Sequence, residues 1–131
     1  MRRNGFTLIE LLIVMAIIGL LATIALPRLT NTKQRAQLAA MKSDLRNLVT
    51  LEENVFAESL KYTTSLGGAY KTSEGNNPPT IRLTGDGWTA SITSPASTQT
   101  CAVFIGSTPL LPATREGTPT CGTTSTTTPL P

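Results

Sequence analysis

The stretch RRNGFTLIELLIVMAIIGLLATIALP, Arg2 to Pro27, decides how the rest of this chain is read. From Phe6 to Leu26 it is 21 residues of almost pure hydrocarbon with one carboxylate, Glu10, set inside it. As a helix such a run spans roughly 31 Å, close to the hydrocarbon thickness of a bilayer. A cleaved secretory signal fits poorly. Its apolar core is shorter, roughly 7–15 residues, and Pro27 crowds the small-residue stretch that would have to be cut. An ordinary membrane anchor accounts for the length but gives no reason for Glu10, nor for the Gly5-Phe6 junction.

The rest of the composition narrows the classes. The chain has 131 residues, which fits one domain with an appendage rather than two full domains. Roughly 105 residues follow the apolar run, enough for a modest core that is marginal by itself. The formal charge of +3 is small and dispersed, so no basic stripe speaks for nucleic acid, and Arg82 and Arg115 do not make one. There is no histidine to activate the many serines and threonines, and eight scattered acids with two cysteines outline no metal or acid–base constellation. The chain does not read as an enzyme, and no cofactor is implied.

The segment G-FTLIELLIVMAIIGLLATIALP, preceded by the short basic MRRNG, resembles the leader and helix start of type IV prepilins, a family shared with type II secretion and competence pseudopilins. The likeness runs from Gly5 to Pro27 nearly without a gap and joins a cleavage junction, a buried acid and a proline at set spacings. It implies that a membrane prepilin peptidase cuts between Gly5 and Phe6 and then methylates the new Phe6 amine. Glu10 is fifth and Pro27 twenty-second counted from Phe6, the places where the family keeps them. The chemistry agrees, since cutting after Gly5 creates an α-amine with an unperturbed pKa of about 7.7–8, largely a cation at neutral pH. Amine and Glu10 would share one apolar layer, where ionised groups are rare and need partners. Glu10 can pair with the amine of its own helix or of a staggered neighbour; the other reading is that it reaches to the interface from the helix end.

Lys/Arg counts on the two sides of the span do not fix its orientation, with Arg2 and Arg3 before it and Arg28, Lys33 and Arg35 after it. Both cysteines lie C-terminally, which places that part in an oxidising compartment outside the inner membrane. Pro27 lacks an N–H and is expected to kink a helix whose pattern continues beyond it, with Gly19 a second weak point. Past Pro27, Asn31 or Thr32 offers a cap if a new helix starts, though one continuous kinked helix fits equally. Leu38, Met41, Leu45, Leu48 and Val55 recur at helical spacing, widened by Val49, Phe56 and Leu60. That stripe reads as a core face first and a partner surface second.

Residues 63–79, dense in Gly, Asn, Ser and Pro, read as a long loop, which the family resemblance makes the αβ-loop. TIRLT (Thr80–Thr84), a GDG turn and WTASIT (Trp88–Thr93) read as a hairpin, and CAVFIG (Cys101–Gly106) as a third strand. Trp88, Ile81, Leu83, Ala90, Ile92, Val103 and Ile105 form the expected inward set. Cys101 and Cys121 lack a C-x-x-C spacing or companion ligands, so a structural bridge is preferred over redox or metal use. The resemblance makes them the C-terminal disulfide that pins a loop to the sheet.

The expected fold is therefore α+β: a long N-terminal helix, kinked at Pro27, on a small antiparallel sheet of three to four strands. Its parts are a leader 1–5, a membrane and polymerisation helix 6–27, an amphipathic half 28–62, the loop 63–79, a sheet with a disulfide-closed loop 80–122 and a Thr-rich tail 123–131, a candidate for O-glycosylation. By resemblance the chain is a structural subunit of a type IV pilus used for adhesion, motility or DNA uptake. It would be held in the inner membrane with lipid around it, then polymerised with identical subunits by an assembly platform into an extracellular filament. Secretion pseudopilin and minor or competence pilin are the alternatives. Glu74, Asp86 and Glu116 are too scattered for the acid-lined calcium loop of major pseudopilins, the aromatic set is sparse for electron conduction, and nucleic acid is a weakly supported partner.

Overall fold

A computed structural model describes residues 5–123 of the chain. The leader residues before Gly5 and the Thr-rich tail after Thr123 lie outside the described residues. One helix, α1, covers Leu8–Ser59, followed by a short 3-10 turn at Gly67–Ala69 and four strands: β1 Thr80–Leu83, β2 Trp88–Ile92, β3 Thr100–Ile105 and β4 Thr120–Gly122. This is the α+β arrangement the sequence called for, with a short fourth strand at the edge. The chain divides into two compact units at Lys33 and Gln34, and α1 runs through the division.

In the first unit the backbone is helical from Leu8 onward, including positions 19 and 27. Asn31 and Thr32 start no new helix. Thr32 donates its hydroxyl back to the Arg28 carbonyl one turn earlier (2.9 Å), the usual way a hydroxyl inside a helix satisfies itself. Every large apolar side chain from Phe6 to Leu26 is at least half exposed.

The second unit buries what the first exposes. Met41, Leu45 and Leu48, at helical spacing on α1, are fully buried and pack with Trp88, Ala90, Ile92, Cys101 and Val103. The sheet is an antiparallel meander in the order β1-β2-β3-β4. Its register sets Ile81 opposite Ala90, Ala90 opposite Val103, and Cys101 opposite Cys121. Side chains alternate along a strand, so this register puts the expected inward residues on one face. Leu83 shares that face, opposite Trp88, but is not covered there. It ends the edge strand β1, with no further strand beyond it among the described residues, and stays half exposed.

The opposite face of the sheet is also covered. Ala102 and Phe104 pack beneath Ala113 and Leu110 of the loop between β3 and β4. That loop is tied at its base, where Glu116 accepts the Gly106 N–H (2.7 Å) and Gly117 donates to the Phe104 carbonyl (2.9 Å). The GDG turn is held against the same end of β3. Asp86 accepts the Ser107 N–H (2.7 Å), and a Cβ at Gly87 would collide with the Ile105 carbonyl oxygen. Only glycine allows that approach.

Helix α1 ends at Ser59, short of the expected residue 62. Leu60 adopts a left-handed conformation (φ 58°) while its N–H still bonds to the Phe56 carbonyl (2.8 Å). This is the αL helix stop, built here on leucine rather than the usual glycine. The chain then doubles back, so the Tyr62 ring stacks on Phe56 with centroids 4.6 Å apart. Thr63 donates its N–H to Glu52 Oε2 (3.0 Å).

Candidate processing and assembly site

Gly5 and Phe6 precede the first helical turn and are exposed, so the junction between them is accessible backbone. Helix α1 opens with a reciprocal cap. Glu10 Oε2 accepts both the N–H and the hydroxyl of Thr7 (2.9 Å each), and the Glu10 N–H donates to Thr7 Oγ1 (3.3 Å). Thr7 stands just before the helix and Glu10 three residues on, which is a capping box. It satisfies N–H groups that the first turn leaves without intrahelical partners. It also gives the carboxylate neutral donors inside its own chain, at the helix end where negative charge is favoured. Oε1 accepts nothing from the described residues.

One carboxylate oxygen of Glu10 is thus held by Thr7, and the other has no partner among the described residues. The T-x-x-E pattern ahead of an apolar run was visible in the sequence, and Thr7 is the capping residue that reading missed. Gly19 sits on open helix surface, where a Cβ would meet nothing within 4 Å. No packing within its own chain requires glycine there.

The second unit carries two acids on the buried stripe itself. Asp44 is 2% exposed and binds the loop 63–79 to α1. Ser73 donates its N–H to Oδ2 (3.0 Å) and its hydroxyl to Oδ1 (2.7 Å), and the Asn76 amide donates to Oδ2 (2.6 Å). Tyr70 donates its hydroxyl to the Asp44 carbonyl (3.1 Å). Burial, then the nearby Asp44 charge, push that phenol up to about 12. The far side of the loop is tied to the sheet, with Asn77 donating to the Thr93 carbonyl (2.9 Å) and Ser94 to the Gly75 carbonyl (2.7 Å). A segment that composition marks as a loop is thus pinned on both sides.

Glu52 lies one turn after Leu48 and is fully buried, with Oε1 and the buried Trp88 Nε1 lacking hydrogen-bond partners among the described residues. Burial raises its carboxyl above the usual range, the Thr63 N–H opposes that, and the Glu53 charge adds to it. Asp86, exposed at the GDG turn, is held below the usual range by its bonds from Ser107. Cys101 and Cys121 are joined in a disulfide across β3 and β4. Among the described residues no three His, Cys, Asp or Glu side chains are grouped to hold a metal.

Comparison with known proteins bears on the N-terminal motif first. Residues 1–26 match the model of the prokaryotic N-terminal methylation motif. The chain is 44% identical over 62 residues to the type IV major pilin protein PilA of Myxococcus xanthus, covering 47% of this chain and 28% of that protein. It is 41% identical over 63 residues to a fimbrial protein of Pseudomonas aeruginosa, 48% of this chain and 41% of the other. With the type IV wide pilus major component PilA4 of Thermus thermophilus it shares 39% identity over 62 residues, 47% of each. The chain thus spans less than half the length of each of these relatives.

Proposed function

We propose that this chain, a type IV pilin by its N-terminal motif, its relatives and its α+β fold, is the structural subunit of a pilus filament. The observation that carries this reading is the pairing of a matched methylation motif over residues 1–26 with a helix, from Leu8 onward, whose large apolar side chains up to Leu26 are at least half exposed. Described residues include one helix long and apolar enough to cross a membrane. A surface of that kind needs lipid or other copies of itself to cover it.

In this reading the precursor lies in the inner membrane with Gly5 and Phe6 presented to a prepilin peptidase. The enzyme cuts between them and methylates the Phe6 amine. Platform proteins then move the subunit out of the lipid, and the apolar faces of 6–27 exchange lipid for identical helices. The open oxygen of Glu10 takes the amine of Phe6 in its own or a neighbouring chain. A buried ion left without that partner is strongly unfavourable, so pairing selects the stagger between copies. Gly19 and Pro27 supply the two places where the packed helix can loosen, and the disulfide-closed unit faces outward. The relatives' names as major pilins favour a pilus over a secretion pseudopilus.

Electron microscopy of fibres sheared from cells, followed by mass spectrometry, tests this reading. Fibres dominated by this chain, with an N-terminus of methylated Phe6, are expected. Surface fibres that lack it, or a mature chain still beginning at Met1, would overturn the proposal. Gly5 substitution is expected to leave only uncut precursor.

A further inference from the structure

Two polar atoms in the core of the second unit are left over. Glu52 and Trp88 are both fully buried, and Glu52 Oε1 and Trp88 Nε1 make no hydrogen bond among the described residues. Buried polar groups are nearly always satisfied, by protein or by ordered water, so each of these calls for an explanation. Glu52 already spends its other oxygen on the Thr63 N–H. The indole of Trp88 is a donor and accepts nothing.

The fold brings the two to one place. One end of β2 is fixed beside the middle of α1: Asn77 donates to the Thr93 carbonyl, Ser94 donates to the Gly75 carbonyl, and Asn76 between them donates to Asp44. From Thr93 back to Trp88 the strand covers roughly 16 Å. From Asp44 on to Glu52 the helix covers about 12 Å. Both paths end at the segment that doubles back after α1. The Tyr62 ring is tilted against Trp88 with centroids 6.4 Å apart, and the next residue, Thr63, holds Glu52. Leu48, one turn before Glu52, packs in the same cluster as Trp88.

We infer that one water molecule, enclosed between α1 and the sheet, accepts the Trp88 indole N–H and bonds Glu52 Oε1. A water suits both forms of the acid. It donates to the ionised carboxylate or accepts from the protonated one, and a remaining lone pair takes the indole hydrogen. An enclosed water needs two to four polar partners, and these two meet that need. Among the described residues no other buried side-chain nitrogen or oxygen is left unpaired, so nothing else competes for either atom. A way in exists: an open cavity of about 440 Å³ is lined by Tyr62 and Gly87, the residues next to Thr63 and Trp88. The bridge gives Glu52 a hold on the first residue of β2 besides its hold on Thr63. It stands independently of the filament reading.

Trp88 is the single tryptophan of the chain, so its indole gives one unambiguous NMR signal. The test records rotating-frame Overhauser transfer from water to that indole hydrogen, on the full chain in detergent. A cross-peak of dipolar sign is expected in the original chain. It should persist in Tyr62→Phe, which removes the neighbouring phenol hydroxyl as a relay, and in Glu52→Gln, which keeps a polar partner for the water. It should be lost in Glu52→Leu, an apolar replacement of similar size. No cross-peak in the original chain would overturn the inference, as would one undiminished in Glu52→Leu or lost in Tyr62→Phe. The measurement on the original chain decides even where Glu52→Leu does not fold.

Discussion

Acids interrupt both apolar stretches of α1, and they are handled in opposite ways. Glu10 stands in a run where every large apolar neighbour is exposed, and its partners are the backbone and hydroxyl of Thr7, three residues away. Asp44 stands in a stripe that is buried, and its partners come from residues 29 and 32 positions further along the chain. Among the described residues the near partner leaves one oxygen open, whereas the distant ones close around theirs. An acid satisfied locally can change partners without unfolding anything, and one satisfied across the fold cannot. That freedom is what the assembly role proposed for Glu10 requires, and the Asp44 site holds a loop in place.

That contrast can be broken at the distant end first. Asp44→Ala strands the Ser73 N–H and the Asn76 amide, and is expected to lower stability by about 2–4 kcal/mol. Hydrogen exchange should show loop 63–79 losing protection before the sheet does. Unchanged protection at Ser73 and Asn76 would contradict its role as the anchor. Replacing Cys101 and Cys121 together by serine should remove roughly 3 kcal/mol in the chain-entropy model, read as a lowered melting temperature of the full chain in detergent. Equal melting of oxidised and serine forms would refute that contribution.

Two smaller effects sharpen the same comparison. Thr7→Val removes the two bonds made by the Thr7 hydroxyl while leaving its N–H on Glu10, and should cost the first turn about 1 kcal/mol, whereas Thr7→Ser should retain them. Backbone NMR at residues 8–11 in detergent reads the difference, and identical spectra for both variants would count against the cap. Glu52 tests burial without enough partners. Its folded pKa is raised, so its contribution to stability is fully present below the unfolded value and is lost as pH rises through the folded one. Glu52→Gln should flatten that loss and leave the chain more stable above it, by on the order of 1 kcal/mol. A variant whose pH profile in this range matches the original would show that Glu52 does not titrate anomalously.

Legibility followed the range of the forces involved. The methylation motif of residues 1–26, the long apolar helix and the strands were readable because they depend on periodicity and local chemistry. Met41, Leu45 and Leu48 announced the core in the same way, and the hairpin followed from alternation around GDG. Asp44 and Glu52 sit at helical spacing within that stripe, yet as acids they drop out of any apolar count. Their partners, at Ser73, Asn76 and Thr63, lie in a segment whose composition says only that it is a loop. Leu60 was counted with the stripe, but its left-handed backbone turns it outward, a tertiary outcome that leucine's propensity argues against. Leu83 failed for a different reason: alternation gives the face of a strand and not whether the strand is an edge.

The most direct test is to express Glu10→Ala as the sole copy of this chain, then count surface fibres and weigh the mature N-terminus. The variant is expected to be cut after Gly5, methylated at Phe6 and retained in the membrane, with few or no fibres. Abundant normal fibres built from that variant alone would contradict the claim that Glu10 pairs subunits through the processed amine.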